Sequence, residues 1–294
     1  INKKTKYRIN FSNMNKLPEY IHERMGGQLQ KGQIANYVIV PGSQARIETI
    51  VSHWDEHTKL AHHYEFLVHS GVLDGQAVTA CSTGIGGRST SIAIDEMAAL
   101  GANTFVRIGV TGGIQPNMQV GDLVIASGAV RMDKTSEHYV FLEYPAVADM
   151  EVTCALIAAA QSEGCNYHVG IGATASSFYA GQGITCLNGY RNTKMDDIVS
   201  DIKAANVYDW DTETATIFTL CNLYGLRAGR LNVIVDDPNT GLYNPVGEET
   251  AIKVVTEAVK LLMKWDKTKL ATNDEVMLPE YPPKIDSSKT QGKK

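Results

Sequence analysis

The sequence predicts a single α/β domain, on three observations. Short β-branched runs alternate with helical patterns, several of those runs are apolar throughout as in a sheet covered on both faces, and no change in composition divides the chain. In chain order, residues 37–40, 77–81, 104–108, 123–127, 168–173 and 231–235 read as strands. Helical patterns occupy residues 90–100, closed by Gly101, then 150–162, 194–205, 211–224, stopped by Gly225, and 248–265. In the last of these, Ile252, Val255, Val259 and Leu262 recur at helical spacing while Lys253, Glu257, Lys260 and Lys264 take the other face, which predicts a helix docked on the sheet. No repeat of fixed period is present. Residues 1–20 read as an extension, 21–265 as the folded domain, and 266–294, rich in Lys, Pro, Ser and Asp, as a flexible tail.

At 294 residues, with 44% hydrophobic and 20% charged, the chain can bury one large core. Its net charge of −5 supplies no basic field for nucleic acid or an anionic membrane, so any anion site must be local. The cysteines, Cys81, Cys154, Cys165, Cys186 and Cys221, are odd in number and form no Cys-x-x-Cys pair, which points to reduced thiols rather than a disulfide framework or zinc site. No apolar run reaches the roughly 18 residues of a membrane span. Lys3, Lys4, Lys6 and Arg8 are followed by polar residues rather than by the apolar centre of a signal peptide, so a cytoplasmic location is expected.

Three glycine-bearing turns carry the functional signal. Arg107-Ile-Gly-Val-Thr-Gly-Gly-Ile-Gln-Pro-Asn117, followed by Val120-Gly121-Asp122, delivers an arginine from a strand into a turn where bare N–H groups and a guanidinium can converge on an anion. Pro41-Gly-Ser-Gln-Ala-Arg46 follows a strand and opens a helix. Cys81-Ser-Thr-Gly-Ile-Gly-Gly-Arg-Ser89 is the third such turn. None has the Gly-x-Gly-x-x-Gly or Gly-x-x-x-x-Gly-Lys-Ser/Thr spacing, so a site for free phosphate is favoured over a dinucleotide or P-loop site. Taken alone, the same residues also suit ordinary tight turns with a surface arginine.

Together with Leu142-Glu-Tyr-Pro-Ala-Val-Ala-Asp149, Phe178-Tyr-Ala-Gly-Gln182 and Asp211 to Thr216, these motifs resemble the uridine phosphorylase branch of the nucleoside phosphorylase I family, from about Ile21 to Leu262. The resemblance implies a central mixed, strongly twisted, barrel-like sheet flanked by helices, and reversible phosphorolysis of a nucleoside to free base and ribose 1-phosphate. Phosphate is then the co-substrate, no cofactor is needed, and the chain self-associates as a dimer or a hexameric ring of dimers. By the same resemblance Gly42, Arg46 and Arg107, with Val110 and Thr111, hold phosphate. Thr212 and Glu213 seat the ribose, with His22 reaching the neighbouring subunit's ribose. Phe178, Gln182, Ile184, Leu187 and Asp236 surround the base, while Glu65, Ile85 and Ser89 match a segment that binds potassium in some bacterial relatives.

The residue types suit that chemistry. Phosphorolysis passes through an oxocarbenium-like sugar while the base departs with negative charge, so an anionic nucleophile must be held under C1′ and donors placed on the base. Several positions depart from the family pattern. Ile184 stands where relatives have a base-binding Arg, Tyr64 where an Arg reaches a second subunit's phosphate, Val110 where a Thr is usual, Thr212 where a Met is usual, and Asp236-Asp237 where Asn-Arg is usual. Arg88 and Arg191 are spare cations nearby in sequence. Three readings follow: an active uridine phosphorylase, a relative with shifted purine or modified-nucleoside preference in which Asp236 protonates the base, and a non-catalytic nucleoside-binding paralogue.

Overall fold

The computed structural model describes residues 29–272 and 274–277. His22 and the expected extension lie outside the described residues, as does most of the expected tail. One ten-stranded sheet runs through the molecule. Its strands in chain order are β1 (Tyr37–Pro41), β2 (Glu56–His63), β3 (Phe66–Leu73), β4 (Gln76–Cys81), β5 (Thr104–Gly112), β6 (Leu123–Met132), β7 (Ala146–Val147), β8 (Tyr167–Ala175), β9 (Asp209–Asp211) and β10 (Arg227–Asp236). The helices are α1 (Ala45–Val51), α2 (Gly87–Leu100), α3 (Met150–Ser162), α4 (Thr193–Ala204), α5 (Thr214–Tyr224) and α6 (Glu248–Thr272). No helix among the described residues is long and apolar enough to cross a membrane.

The spatial order is β2-β3-β4-β1-β5-β10-β6-β8-β9, with β7 paired to β6. β4, β1, β5 and β10 run parallel; β2, β3 and β4 form an antiparallel meander; β10 meets β6 antiparallel; and β8 joins β6 and β9 in parallel. The far end then returns: Gly113 bridges Asp209, and Ile114 N donates to Tyr208 O at 2.9 Å, so β9 comes back beside the end of β5. The expected mixed, barrel-like sheet is present.

Strand alternation sorts the core into two faces. Tyr37, Ile39, Val106, Ile108, Leu231, Val233 and Val235 pack with α1, α3 and α6, whereas Val38, Val40, Phe105 and Ala228 pack with α2 and α5. This parity decides the site. Arg107, Gly109 and Thr111 share the face of Phe105, and Arg230 and Asn232 lie beside Arg107 and Gly109 in register.

Several elements differ from the sequence expectation: β3 (Phe66–Leu73) is a strand that the expectation does not include, β5 runs on past Ile108 to Gly112, and three further differences have a local cause. The polar run Glu56-His-Thr-Lys-Leu-Ala-His-His63, not read as a strand, is mostly exposed and forms the sheet edge, where hydrogen bonding to β3 rather than burial holds it. Asp211 ends a strand instead of starting a helix, because its carboxylate accepts from Thr214 N at 3.0 Å and so caps α5, which begins three residues later. The last helix continues seven residues past Trp265 to Thr272. There Asp266 meets Arg227 at 2.5 Å, and Lys269 meets Glu151 at 2.6 Å and Asp266 at 2.9 Å.

Candidate active site

Arg107 leaves β5 toward α5. Its Nη2 donates to Glu213 Oε2 and its Nε lies 3.7 Å from Asp211 Oδ2, with the guanidinium only 6% exposed. Nη1 is buried and has no acceptor among the described residues. A buried charged donor left unmade costs on the order of 1–3 kcal/mol or more, so this edge is suited to an anion. A Cβ built on Gly42 would stand 3.9 Å from Nη1 and 3.3 Å from Gly84 O. Gly86 N donates to Glu213 Oε1 at 2.5 Å. The glycine-rich segments 41–46, 81–89 and 107–113, the last of them a continuation of β5 to Gly112 and not the turn expected from the sequence, thus meet around one guanidinium.

Glu213 is the residue before α5, with non-helical φ of −134° and 2% exposure. Its Oε1 accepts from Gly86 N and from the Thr212 hydroxyl, and its Oε2 from Arg107. A carboxylate offers about four acceptor positions, so one remains. Thr212, donating to Glu213, keeps its own oxygen free to accept. The pair can therefore receive one ribose hydroxyl each, rather than Glu213 receiving both.

The other expected residues fall in different places. Arg46 is brought to Glu248, with Nε 2.9 Å from Oε1 and Nη2 donating to Oε2 at 3.1 Å. Thr111 shares the Arg107 face but its hydroxyl donates to Trp210 O at 2.5 Å. Val110 points the other way and packs on the core under α3 and α6, so strand parity leaves only its backbone near the site. Asp236 ends β10, and its carboxylate would lie 3.6 Å from a Cβ on Gly112. Burial holds that carboxyl above the ordinary carboxylate range.

The base loop follows β8. Phe178 and Tyr179 are half-exposed and meet edge to face at 5.3 Å, and Gln182 closes the turn Ala180–Gln182. Ile184 N donates to Tyr179 O at 2.8 Å, tying that residue back to the turn. Leu187 is 85% exposed, which separates it from the others. Arg191 donates from Nη1 to Gly183 O at 2.8 Å and to Thr185 Oγ1 at 2.9 Å and from Nε and Nη2 to Asp196 Oδ1 at 2.8 and 2.6 Å, so its guanidinium braces the loop with its charge already paired. Tyr64 carries no charge, yet its carbonyl accepts from Gln44 Nε2 at 2.5 Å, which joins the β2–β3 turn to the 41–46 loop. Glu65 and Ser89 converge on Gly84, where an added Cβ would meet Glu65 Cγ at 2.7 Å and Ser89 Oγ at 3.0 Å; Ile85 beside them is exposed.

Sequence reasoning missed a second charged layer behind the site. Arg230 and Asp209 form an ion pair at 0% exposure of both side chains, and Asn232 Nδ2 donates to Asp209 at 3.2 Å. Burial pushes the Asp209 carboxyl up, and the Arg230 fork opposes that shift. Asn232 Oδ1 and Arg107 Nη2 both crowd the space over Gly109, where a Cβ would lie 2.6 and 3.4 Å from them. Polar residues at alternate positions in the apolar run Arg230-Leu-Asn-Val were the available signal. A cavity of about 950 Å³ lies elsewhere, at the start of β1 and β10, lined by Tyr37, Arg227, Glu151, Asp266 and Lys269 among others. Its charges are mutually paired with no guanidinium nitrogen left over as Arg107 Nη1 is, and ligands of parallel sheets gather at the opposite, carboxyl ends of strands.

A family profile described as the phosphorylase superfamily matches residues 36–265. The chain belongs to the phosphorylase superfamily. Among curated relatives, the uridine phosphorylase of Thermococcus kodakarensis is 48% identical over 248 residues, covering 84% of this chain and 90% of the relative. That of Escherichia coli K12 is 43% identical over 237 residues, covering 79% and 94%. That of Haemophilus influenzae is 42% identical over 245 residues, covering 80% and 96%. The superfamily match spans every segment that meets at Arg107.

Proposed function

We infer that this chain is a uridine phosphorylase, an enzyme that splits uridine with inorganic phosphate into uracil and ribose 1-phosphate, reversibly. The observation that carries the reading is the buried Arg107 guanidinium, held by Glu213 on one edge and open on the other among three glycine-rich segments. The long matches to uridine phosphorylases favour it over the purine-shifted and non-catalytic readings.

Arg107 Nη1 and the backbone N–H groups around Gly42 hold phosphate, and Arg46 adds a second charge. Glu213 and Thr212 take the ribose hydroxyls, so the sugar is fixed with C1′ facing the anion. A phosphate oxygen then forms the bond to C1′ as the C1′–N1 bond breaks, and its electron pair leaves on the pyrimidine. Phe178 flanks that ring and Gln182 bonds its edge, with Ile184 supplying apolar contact. Asp236 is placed by the base, held protonated to higher pH by burial.

The chain self-associates as a dimer or a hexameric ring in this reading, completed by His22 from a neighbour. Exposed Tyr64 and Ile85, 64% and 84% accessible beside the Gly84 turn, support a covering partner. The carboxylate, hydroxyl and carbonyl oxygens of Glu65, Ser89 and Ile85 are hard donors that fit potassium in that same place. The five cysteines are free thiols, in accord with a cytoplasmic location. The test is a steady-state assay with uridine, thymidine, inosine and methylthioadenosine, each with and without phosphate. Phosphate-dependent release of uracil at the highest kcat/KM is expected; a preference for inosine would transfer the role to Asp236, and no turnover at all would leave a binding protein.

A further inference from the structure

We propose that Glu248 is a positioning residue for phosphate, acting through Arg46. The inference rests on the reading of Arg46 as a phosphate ligand. Glu248 is the first residue of α6, 202 positions from Arg46; its Oε2 accepts from Nη2 of that guanidinium and its Oε1 stands 2.9 Å from Nε as an ion pair without hydrogen-bond geometry. The preceding residue makes this placement possible. Gly247 has φ +84° and a Cβ there would stand 2.9 Å from Val233 Cγ2, so only glycine lets the chain drop onto the sheet before α6 begins.

The arrangement repeats what is seen at Arg107. There too carboxylates lie on the Nε and Nη2 side, Glu213 bonded to Nη2 and Asp211 3.7 Å from Nε, and neither Nε nor Nη1 has a hydrogen-bond acceptor among the described residues. Both arginines are thus held by acids along one edge. A long flexible side chain loses rotamer freedom when it binds, and fixing it beforehand removes that loss from the binding step. Arg46 is 14% exposed and Glu248 39%, so solvent screening makes the effect moderate. Glu248 also closes the segment that follows Asp236, which links the base side of the site to the phosphate side through one ion pair.

The experiment is initial-rate kinetics of Glu248→Gln and Glu248→Asp, with phosphate and uridine varied in turn and unfolding temperature measured alongside. For Glu248→Gln the phosphate KM is expected to rise about three- to tenfold, within the range of a screened charge-assisted hydrogen bond, while uridine KM and kcat stay within about twofold. Glu248→Asp should recover part of the loss. In an Arg46→Met background the Glu248→Gln change should have no further effect. A phosphate KM that is unchanged or lower in Glu248→Gln overturns the proposal, as does a loss shared equally by both substrates and the unfolding temperature. If Arg46→Met itself leaves phosphate KM unaltered, the fault lies in the phosphate role of Arg46, and the proposal falls with it.

Discussion

Replacing Gly42 with alanine adds a methyl carbon 3.9 Å from Arg107 Nη1 and 3.3 Å from Gly84 O. The backbone at Gly42 is not in the left-handed region, so alanine brings no strain there, and stiffening the unfolded chain offsets the slight crowding by about 0.4–1 kcal/mol. The fold should therefore survive. What the methyl occupies is the approach to the Nη1 edge, where a phosphate oxygen would stand. Losing one charge-assisted hydrogen bond there corresponds to about 1.5–3 kcal/mol, or roughly 10- to 150-fold in affinity. The assay is uracil release followed by absorbance, with phosphate varied at saturating uridine and uridine varied at saturating phosphate. Phosphate KM should rise by that factor while uridine KM moves by less than about threefold. A folded Gly42→Ala enzyme with wild-type phosphate KM would refute the claim that the three segments converge to admit an anion at Arg107.

Other outcomes follow from the same geometry. Glu213→Gln weakens both the hold on Arg107 and the ribose seat, so nucleoside kcat/KM should fall about 100-fold, as for loss of one preorganised polar group, while uracil in the reverse reaction binds as before; equal weakening of free uracil would show that Glu213 does not read ribose. Arg230→Met strands a fully buried carboxylate and should cost about 3–5 kcal/mol in urea unfolding, whereas Arg230→Met with Asp209→Asn should recover most of it. No recovery in the double variant would mean that the pair is not one energetic unit. At Asp266, burial pushes the carboxyl up, but hydrogen bonds from Arg227, Tyr37 and Lys269 outweigh it and hold the group at about 2. A depressed acid stabilises the fold above its unfolded value near 4, and that contribution disappears as pH falls toward 2. Asp266→Asn should therefore lower stability by about 1 kcal/mol at pH 7, after screening, and flatten the loss between pH 4 and 2. An unchanged acid limb would remove Asp266 from that role.

Local chemistry was legible in the sequence, and distant pairing was not. Arg107 with its glycines announces an anion site because the strand, the turn and the cation are contiguous. The central strands were equally clear, being nearly all apolar, whereas the edge strand Glu56–His63 is polar except for Leu60 and Ala61 and owes its form to β3. The reach of α6 to Thr272 depends on Arg227 and Glu151, whose meeting with Asp266 and Lys269 no local pattern encodes. The same holds for Glu248 on Arg46, an ion pair across 202 positions. Val110 shows the opposite case: it sits in the right motif, but two-residue periodicity turns its side chain to the other face of the sheet. Arg230 and Asn232 could have been noticed, since charged and amide residues at alternate positions of an apolar strand mark one polar face, but their partner Asp209 belongs to a three-residue strand with no periodic signal of its own.

The most direct measurement is a calorimetric titration of inorganic phosphate into the folded protein and into Arg107→Ala. Phosphate binding to the parent, reduced at least about 10-fold in the variant as expected for loss of a charge-assisted contact, is the result predicted here. An Arg107→Ala protein that stays folded and binds phosphate with the parent's affinity would contradict the account.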